Sequence, residues 1–193
     1  MNRLTRILSL LAVSVVAVAC GRIEGRVLGT EQATITRSWP AAAVREVKVF
    51  EVDGSISVEA AQVSEITLIA TASGDLDRNQ RMENEGLFET SIEGDTLRIG
   101  RKERRRSFNV RFFFDVDDKR IDFKLRVPPS VALNVVTVNG RIVTRGVEGE
   151  TEAKTVNGTI DIETVGTQQL HATTVNGRVR ARFLKSFQGA RFK

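Results

Sequence analysis

The chain has 193 residues, 41% of them hydrophobic, enough for one ordinary domain with a real core. Its single cysteine excludes an internal disulfide, and its single histidine leaves no His/Cys cluster for a metal. The formal net charge of +5 permits attraction to anionic envelope surfaces without arguing for nucleic acid.

Arg3 and Arg6 precede an apolar run from Ile7 to Ala19 that ends in Ala17, Val18, Ala19, Cys20 and Gly21. The run is too short to span a bilayer as a helix. A basic start, apolar middle and small-residue end read as a secretory signal over residues 1–19. The sole cysteine sits at the cleavage boundary, which resembles the bacterial lipobox, with Ala17 where Leu is usual. The resemblance implies a lipid on Cys20 and attachment to a membrane. Cleavage before Cys20 removes two bases and no acid, lowering the net charge from +5 to +3. Residues 20–33 carry glycines, mixed charge and little apolar periodicity, and read as a tether.

The domain is expected to occupy residues 34–193. Thr34 to Pro40 reads as a first edge strand or cap, with the lone Trp39 plugging the end of a core. Val47, Val49, Val52, Asp53, Gly54, Ile56, Val58 and Ala61 form a degenerate coil, discussed below. Ile66, Leu68, Ala70 and Ala72 alternate as a strand. Leu76 to Gly86 is a polar loop or one short exposed helical turn. Phe88, Thr90 and Ile92, then Leu97 and Ile99, read as two strands joined by a tight turn at Glu93, Gly94 and Asp95.

Arg101, Lys102, Arg104, Arg105 and Arg106 surround one acid in the densest charge run. It reads either as a solvated loop tip or as a contact for lipid phosphates, lipopolysaccharide or an anionic glycan. Phe108, Val110 and Phe112 share a face. Asp115, Asp117 and Asp118 lack the glycine and distal Glu of an EF-hand loop, so a turn is expected rather than a calcium site. Ile121, Phe123, Leu125 and Val127 alternate cleanly until Pro128 and Pro129 end the strand.

A threefold echo follows: Thr137-Val138-Asn139-Gly140, Thr155-Val156-Asn157-Gly158 and Thr174-Val175-Asn176-Gly177. The offsets of 18 and 19 residues predict parallel coils stacked one strand spacing apart. Aligned on Asn-Gly, the expected inward columns are Leu133, Thr151, Leu170; Val135, Ala153, Ala172; Val138, Val156, Val175; Ile142, Ile160, Val179; and Val147, Val165, Leu184. The step of three before each valine places a corner there. Asn-Gly then supplies a second bend through its tolerance of positive φ. The degenerate coil at 47–61 obeys the same spacing with Asp53-Gly54. The fold expected is therefore all-β, a parallel β-helix or β-solenoid with coils of 18–19 residues and an inserted strand region. Ala190 to Lys193 align with the approach to a further coil. That predicts a truncated product, a missing C-terminal portion, or an open coil that pairs with another molecule, self-association included.

Asn139, Asn157 and Asn176 are read as a structural ladder along the stack, and Thr137, Thr155 and Thr174 likewise. The alternative is a surface binding row. His171 is expected to point outward between Leu170 and Ala172. No Ser-His-Asp set can be assembled, and Asp161 stands alone in its column opposite Val143 and Arg180, so no enzyme, metal or cofactor is expected. One Trp and no Tyr disfavour sugar stacking.

The lipobox-like start, the coil around Val52-Asp53-Gly54, the strand ending in Val127-Pro128-Pro129 and the tandem Thr-Val-Asn-Gly coils together resemble the bacterial "putative adhesin" domain family of unknown function. Its relatives include the head domains of autotransporter-like adhesins. The resemblance covers roughly residues 34–193 and implies a β-solenoid without assigned catalytic residues. It implies a cell-envelope lipoprotein on the periplasmic or surface face, with a non-catalytic surface for an envelope protein or an anionic glycan. An accessory or sensory domain of an envelope signalling system, and a polysaccharide-active enzyme using Asp161, are the alternatives.

Overall fold

The computed structural model describes residues 32–74, 87–100, 120–164, 166, 169–184 and 190–193. The signal segment and Cys20, the polar stretch from Leu76 to Gly86, and the stretch from Arg101 to Asp118 with its basic run, phenylalanines and acids lie outside these residues, as does Val165.

Alternating apolar and polar side chains form strands wherever one face can be buried. The described strands are β1 (Gln32–Pro40), β2 (Glu46–Phe50), β3 (Ile56–Ala60), β4 (Glu65–Ser73), β5 (Glu89–Glu93), β6 (Thr96–Gly100), β7 (Arg120–Val127), β8 (Ala132–Asn139), β9 (Ile142–Arg145), β10 (Thr151–Thr164), β11 (Leu170–Phe183) and β12 (Ala190–Phe192). A three-residue 3₁₀ turn at Ala41–Ala43 is the only other regular element among the described residues. The protein is all-β. The twelve described strands form one sheet, curled into an open half-barrel.

The Thr-Val-Asn-Gly segments lie side by side. β10 pairs with β11 in parallel from Thr151↔Leu170 to Thr164↔Phe183, so Thr155 faces Thr174 and Asn157 faces Asn176. On its other side β10 pairs in parallel with β8 and then β9, matching Thr155 to Thr137 and Ile160 to Ile142. β8 and β9 in turn pair in parallel with β2 and β3, Val47 opposite Leu133 and Ile56 opposite Ile142. The 46–60 stretch is thus the neighbour of the first Asn-Gly segment, although Asp53 and Asn139 are 86 residues apart in sequence. At the far end β12 adds to β11 in parallel, with Ala190, Arg191 and Phe192 opposite Leu170, His171 and Ala172.

The inserted strands extend the sheet in the other direction. β6 runs parallel to β2 and β7 parallel to β3. Beyond them the pairing turns antiparallel, β5 on β6, β4 on β7, and β1 on β4. β1 is an edge strand, and Trp39 near its end is half-buried against the core.

The inner face is continuous. Phe123, Ile56, Ile66, Leu68, Leu97, Leu133, Ile142, Ile160 and Leu170 are fully buried, each stabilising the fold by about 1.5–3 kcal/mol through removal from water. Phe88 packs edge-on against Phe123, centroids 5.3 Å apart, and the Arg37 guanidinium lies 4.8 Å over the Phe88 ring.

Two expectations are corrected. The Val138, Val156, Val175 column points outward: Val156 is 39% and Val175 70% exposed. The threonines one residue earlier are the inward ones, Thr137 being 0% and Thr155 4% exposed. Spacing two therefore continues through Leu133, Val135 and Thr137, and the change of phase falls at Val138–Arg141. A buried threonine is tolerated there because its hydroxyl has a carbonyl to bond, as described below. Leu184, placed inward in the alignment, is also exposed, at 59%. The second correction concerns glycine. Positive φ occurs at Gly74, Gly94 and Gly146, not at Gly140, Gly158 or Gly177. At these three the requirement is close approach. A Cβ on Gly158 would overlap the Gly140 carbonyl, one on Gly177 the Gly158 carbonyl, and one on Gly140 the Gly54 carbonyl.

Candidate functional site

The corner ridge is built by this glycine stacking. Where the strands turn from β2 to β3 and from β8 to β9, and midway along β10 and β11, where the pairing skips only Val156 and Val175, side-chain bonds add to the backbone pairing. Thr137 Oγ1 donates to the Gly54 carbonyl at 3.1 Å, and Thr174 Oγ1 to the Gly158 carbonyl at 3.1 Å. Thr155 Oγ1 lies 3.4 Å from both the Val138 and Gly140 carbonyls. The threonine partners are thus backbone carbonyls of the neighbouring segment, not the neighbouring threonines.

Outside this row the amides connect. Asn176 Nδ2 donates to Asn157 Oδ1 at 2.9 Å, Asn157 Nδ2 to Asn139 Oδ1 at 2.8 Å, and Asn139 Nδ2 to Asp53 Oδ1 at 2.7 Å. Asp53 terminates the row with a carboxylate, which when ionised accepts only. It therefore orients every amide behind it the same way. Glu51, fully buried in the same corner, accepts the Asp53 backbone N–H through Oε1 at 3.3 Å. It continues the inward alternation of Val47 and Val49 past the exposed Phe50, at the position that Thr137 takes after Leu133 and Val135.

Across β7, β3, β9 and the later parts of β10 and β11 charge is carried in order. Arg126, Glu59, Arg145, Glu163 and Arg182 are consecutive cross-strand neighbours, alternating in sign across five strands. Arg182 is 3.7 Å from Glu163. In the adjacent row Asp161 is held between two arginines, Arg141 Nε at 2.7 Å and Arg180 Nη1 at 3.6 Å. Its carboxylate is engaged in ion pairs on both sides. His171 is half-buried on the outer face, its Nε2 3.2 Å from Thr173 Oγ1. Among the described residues no group of three His, Cys, Asp or Glu side chains is placed to hold a metal ion.

The structure thus brings Asn139, Asn157 and Asn176 together in one row and Thr137, Thr155 and Thr174 in another. Cys20 and the arginines and lysine from Arg101 to Arg106 lie outside the described residues.

The sequence matches no protein-family model and no curated protein. Several solved structures are similar. One is a "putative cell adhesion protein" from Clostridium sporogenes, 11% identical, covering 75% of this chain and 72% of that one, with a TM-score of 0.40. A second, a "putative lipid binding protein" from Parabacteroides distasonis, is 14% identical over 82% of this chain, which spans 59% of its length, with a TM-score of 0.45. A "putative adhesin" from Bacteroides fragilis is 8% identical over 83% of this chain and 93% of that one, with a TM-score of 0.30.

Proposed function

We propose that the chain is an exported lipoprotein of the bacterial cell envelope, anchored through Cys20, whose β-sheet domain is a non-catalytic binding surface of the β-solenoid type. The observation that carries the reading is the manner in which the outward polar groups are used. The asparagines bond along a row, the acids pair with arginines across strands, and Asp161 sits between two cations. Such groups bind and stack. A polysaccharide-cleaving carboxylate would instead stand free above a cleft. The parallel register of β2/β3, β8/β9, β10 and β11 supports the solenoid reading, since each segment buries its apolar face only beside its neighbours.

The test is the mass and N-terminal sequence of the mature protein taken from its native membrane. A chain starting at Cys20 with added acyl groups, and loss of those groups and of membrane attachment in Cys20→Ala, is the expected result. A mature protein that starts elsewhere, or one carrying no acyl chain, overturns the anchor.

A partner polypeptide is favoured over a glycan as ligand by the sequence's one Trp and no Tyr.

A further inference from the structure

The corner ridge divides the sheet into two halves. β7, β3, β9 and the residues of β10 and β11 that follow their Asn-Gly pairs lie beyond it. β6, β2, β8 and the residues that precede those pairs lie before it. Each half buries one face and turns the other outward, but the two outward faces are charged differently. Before the ridge, Lys48 and Arg98 are each 2.9 Å from an acid, Glu46 and Glu93, and Lys154 is paired with Glu152.

Beyond the ridge cations are in excess. Alternation with the buried Ile121, Phe123 and Leu125 turns Arg120, Lys124 and Arg126 of β7 outward, with Asp122 among them. Arg141 precedes β9 and Arg145 ends it, and β11 adds Arg178, Arg180 and Arg182. All eight cations are exposed. The outward acids of the same strands are Asp122, Glu59, Asp161 and Glu163, half as many. Three of them engage Arg120, Arg141, Arg180 and Arg182. Among the described residues Lys124, Arg126, Arg145 and Arg178 are in no ion pair. Five strands about 4.8 Å apart spread this excess over about 20 Å. That is wider than the screening length of about 8 Å at physiological salt, so only a partner that meets the face broadly feels all of it.

A folded protein partner would want an apolar or aromatic anchor at the centre of its contact. The outward apolar residue of these five strands is Val143, already half-buried, and the exposed Phe50 ring lies before the ridge. A broad face of unpaired cations without an anchor fits a plane of negative charge whose members rearrange to meet it. We infer that this face lies against an anionic phospholipid surface, with its cations among the headgroup phosphates. The inference rests on the reading of the domain as a non-catalytic envelope protein but needs no acyl group, so the mass of the mature protein tests the anchor separately.

The test uses the full chain with Cys20→Ala, which removes the sole native thiol, reconstituted into vesicles of phosphatidylcholine alone or with phosphatidylglycerol as one lipid in three. A fluorophore is attached at Ser57→Cys, between Lys124 and Val143 on the basic face, or at Val136→Cys, between Phe50 and Lys154 on the other. Lipid carrying a spin label on its headgroup quenches it. On anionic vesicles the Ser57 position is quenched about threefold more than the Val136 position. The difference disappears on phosphatidylcholine alone and near 1 M salt, where screening shortens to about 3 Å. Lys124→Gln with Arg178→Gln at least halves it, Lys124→Arg with Arg178→Lys keeps it, and Lys154→Gln leaves it unchanged, all with the parent circular dichroism spectrum. Equal quenching at the two positions, or a difference that persists without phosphatidylglycerol, would overturn the inference. Equal quenching together with tight binding of polyglutamate would assign the face to an acidic protein instead.

Discussion

A methyl group on Gly158 would overlap the Gly140 carbonyl, and a sheet whose strands are spaced about 4.8 Å apart has no slack to absorb it. The same holds at Gly177 and Gly140, so each glycine is required by the segment beside it and not by its own backbone conformation. Gly158→Ala is accordingly expected to lower stability by about 3 kcal/mol or more, read from the denaturant midpoint. Gly166→Ala, where an added Cβ meets nothing within 4 Å, stays within about 0.5 kcal/mol of the parent. Threonine and valine show the complementary constraint. Thr137 is buried with its hydroxyl 3.1 Å from the Gly54 carbonyl, while Val156 and Val175, side by side on adjacent strands, face water together.

Single strands here are weak units, and their side-chain rows are what tie one to the next. The alternating row Arg126, Glu59, Arg145, Glu163, Arg182 sets opposite charges at each interface of parallel strands. Each pair is partly exposed (Arg182 and Glu163 at 76% and 42% of their side chains) and therefore worth only a few tenths of a kcal/mol. Reversal does more than removal, because it places three cations side by side. Glu163→Lys should destabilise by about 1–2 kcal/mol in low salt, and most of that loss should vanish near 1 M salt as screening shortens to about 3 Å. A loss that persists in high salt would mean that Glu163 contributes through packing. The amide row differs. Its bonds pass through neutral groups until Asp53, so the carboxylate acts on it chiefly by fixing direction.

At the level of the whole molecule, each described strand rests on its immediate neighbours in one curled sheet, so the middle and the edges of that sheet differ. The interior of the stack, β8 with the β10 residues it pairs, has strands on both sides, whereas the outer side of β11 beyond Ala172 and β1 are edges among the described residues. Native-state hydrogen exchange should therefore show protection falling from Val135 and Ala153 outward to Val179 and Ala181. Uniform protection across these positions would argue for a single cooperative unit instead.

How much of this was legible depends on the range of the interaction. The tandem Thr-Val-Asn-Gly segments, their offsets of 18 and 19 residues, and the degenerate copy around Asp53-Gly54 determined that these stretches are strands and which residues share a row, because one spacing recurs and in-register stacking follows from it. The direction of the valines was misread from the same letters. Valine scores as apolar wherever it stands, and only the carbonyl beside Thr137 makes a threonine the better buried residue. Nor could the spacing show that Gly158 answers to Gly140 rather than to its own φ, or that Asp161 lies between Arg141 and Arg180. Those facts depend on contacts between strands distant along the chain. Periodicity within a segment is local and is written into the order of residues. The distance from one segment's carbonyl to the next segment's side chain exists only once the sheet has closed over its core.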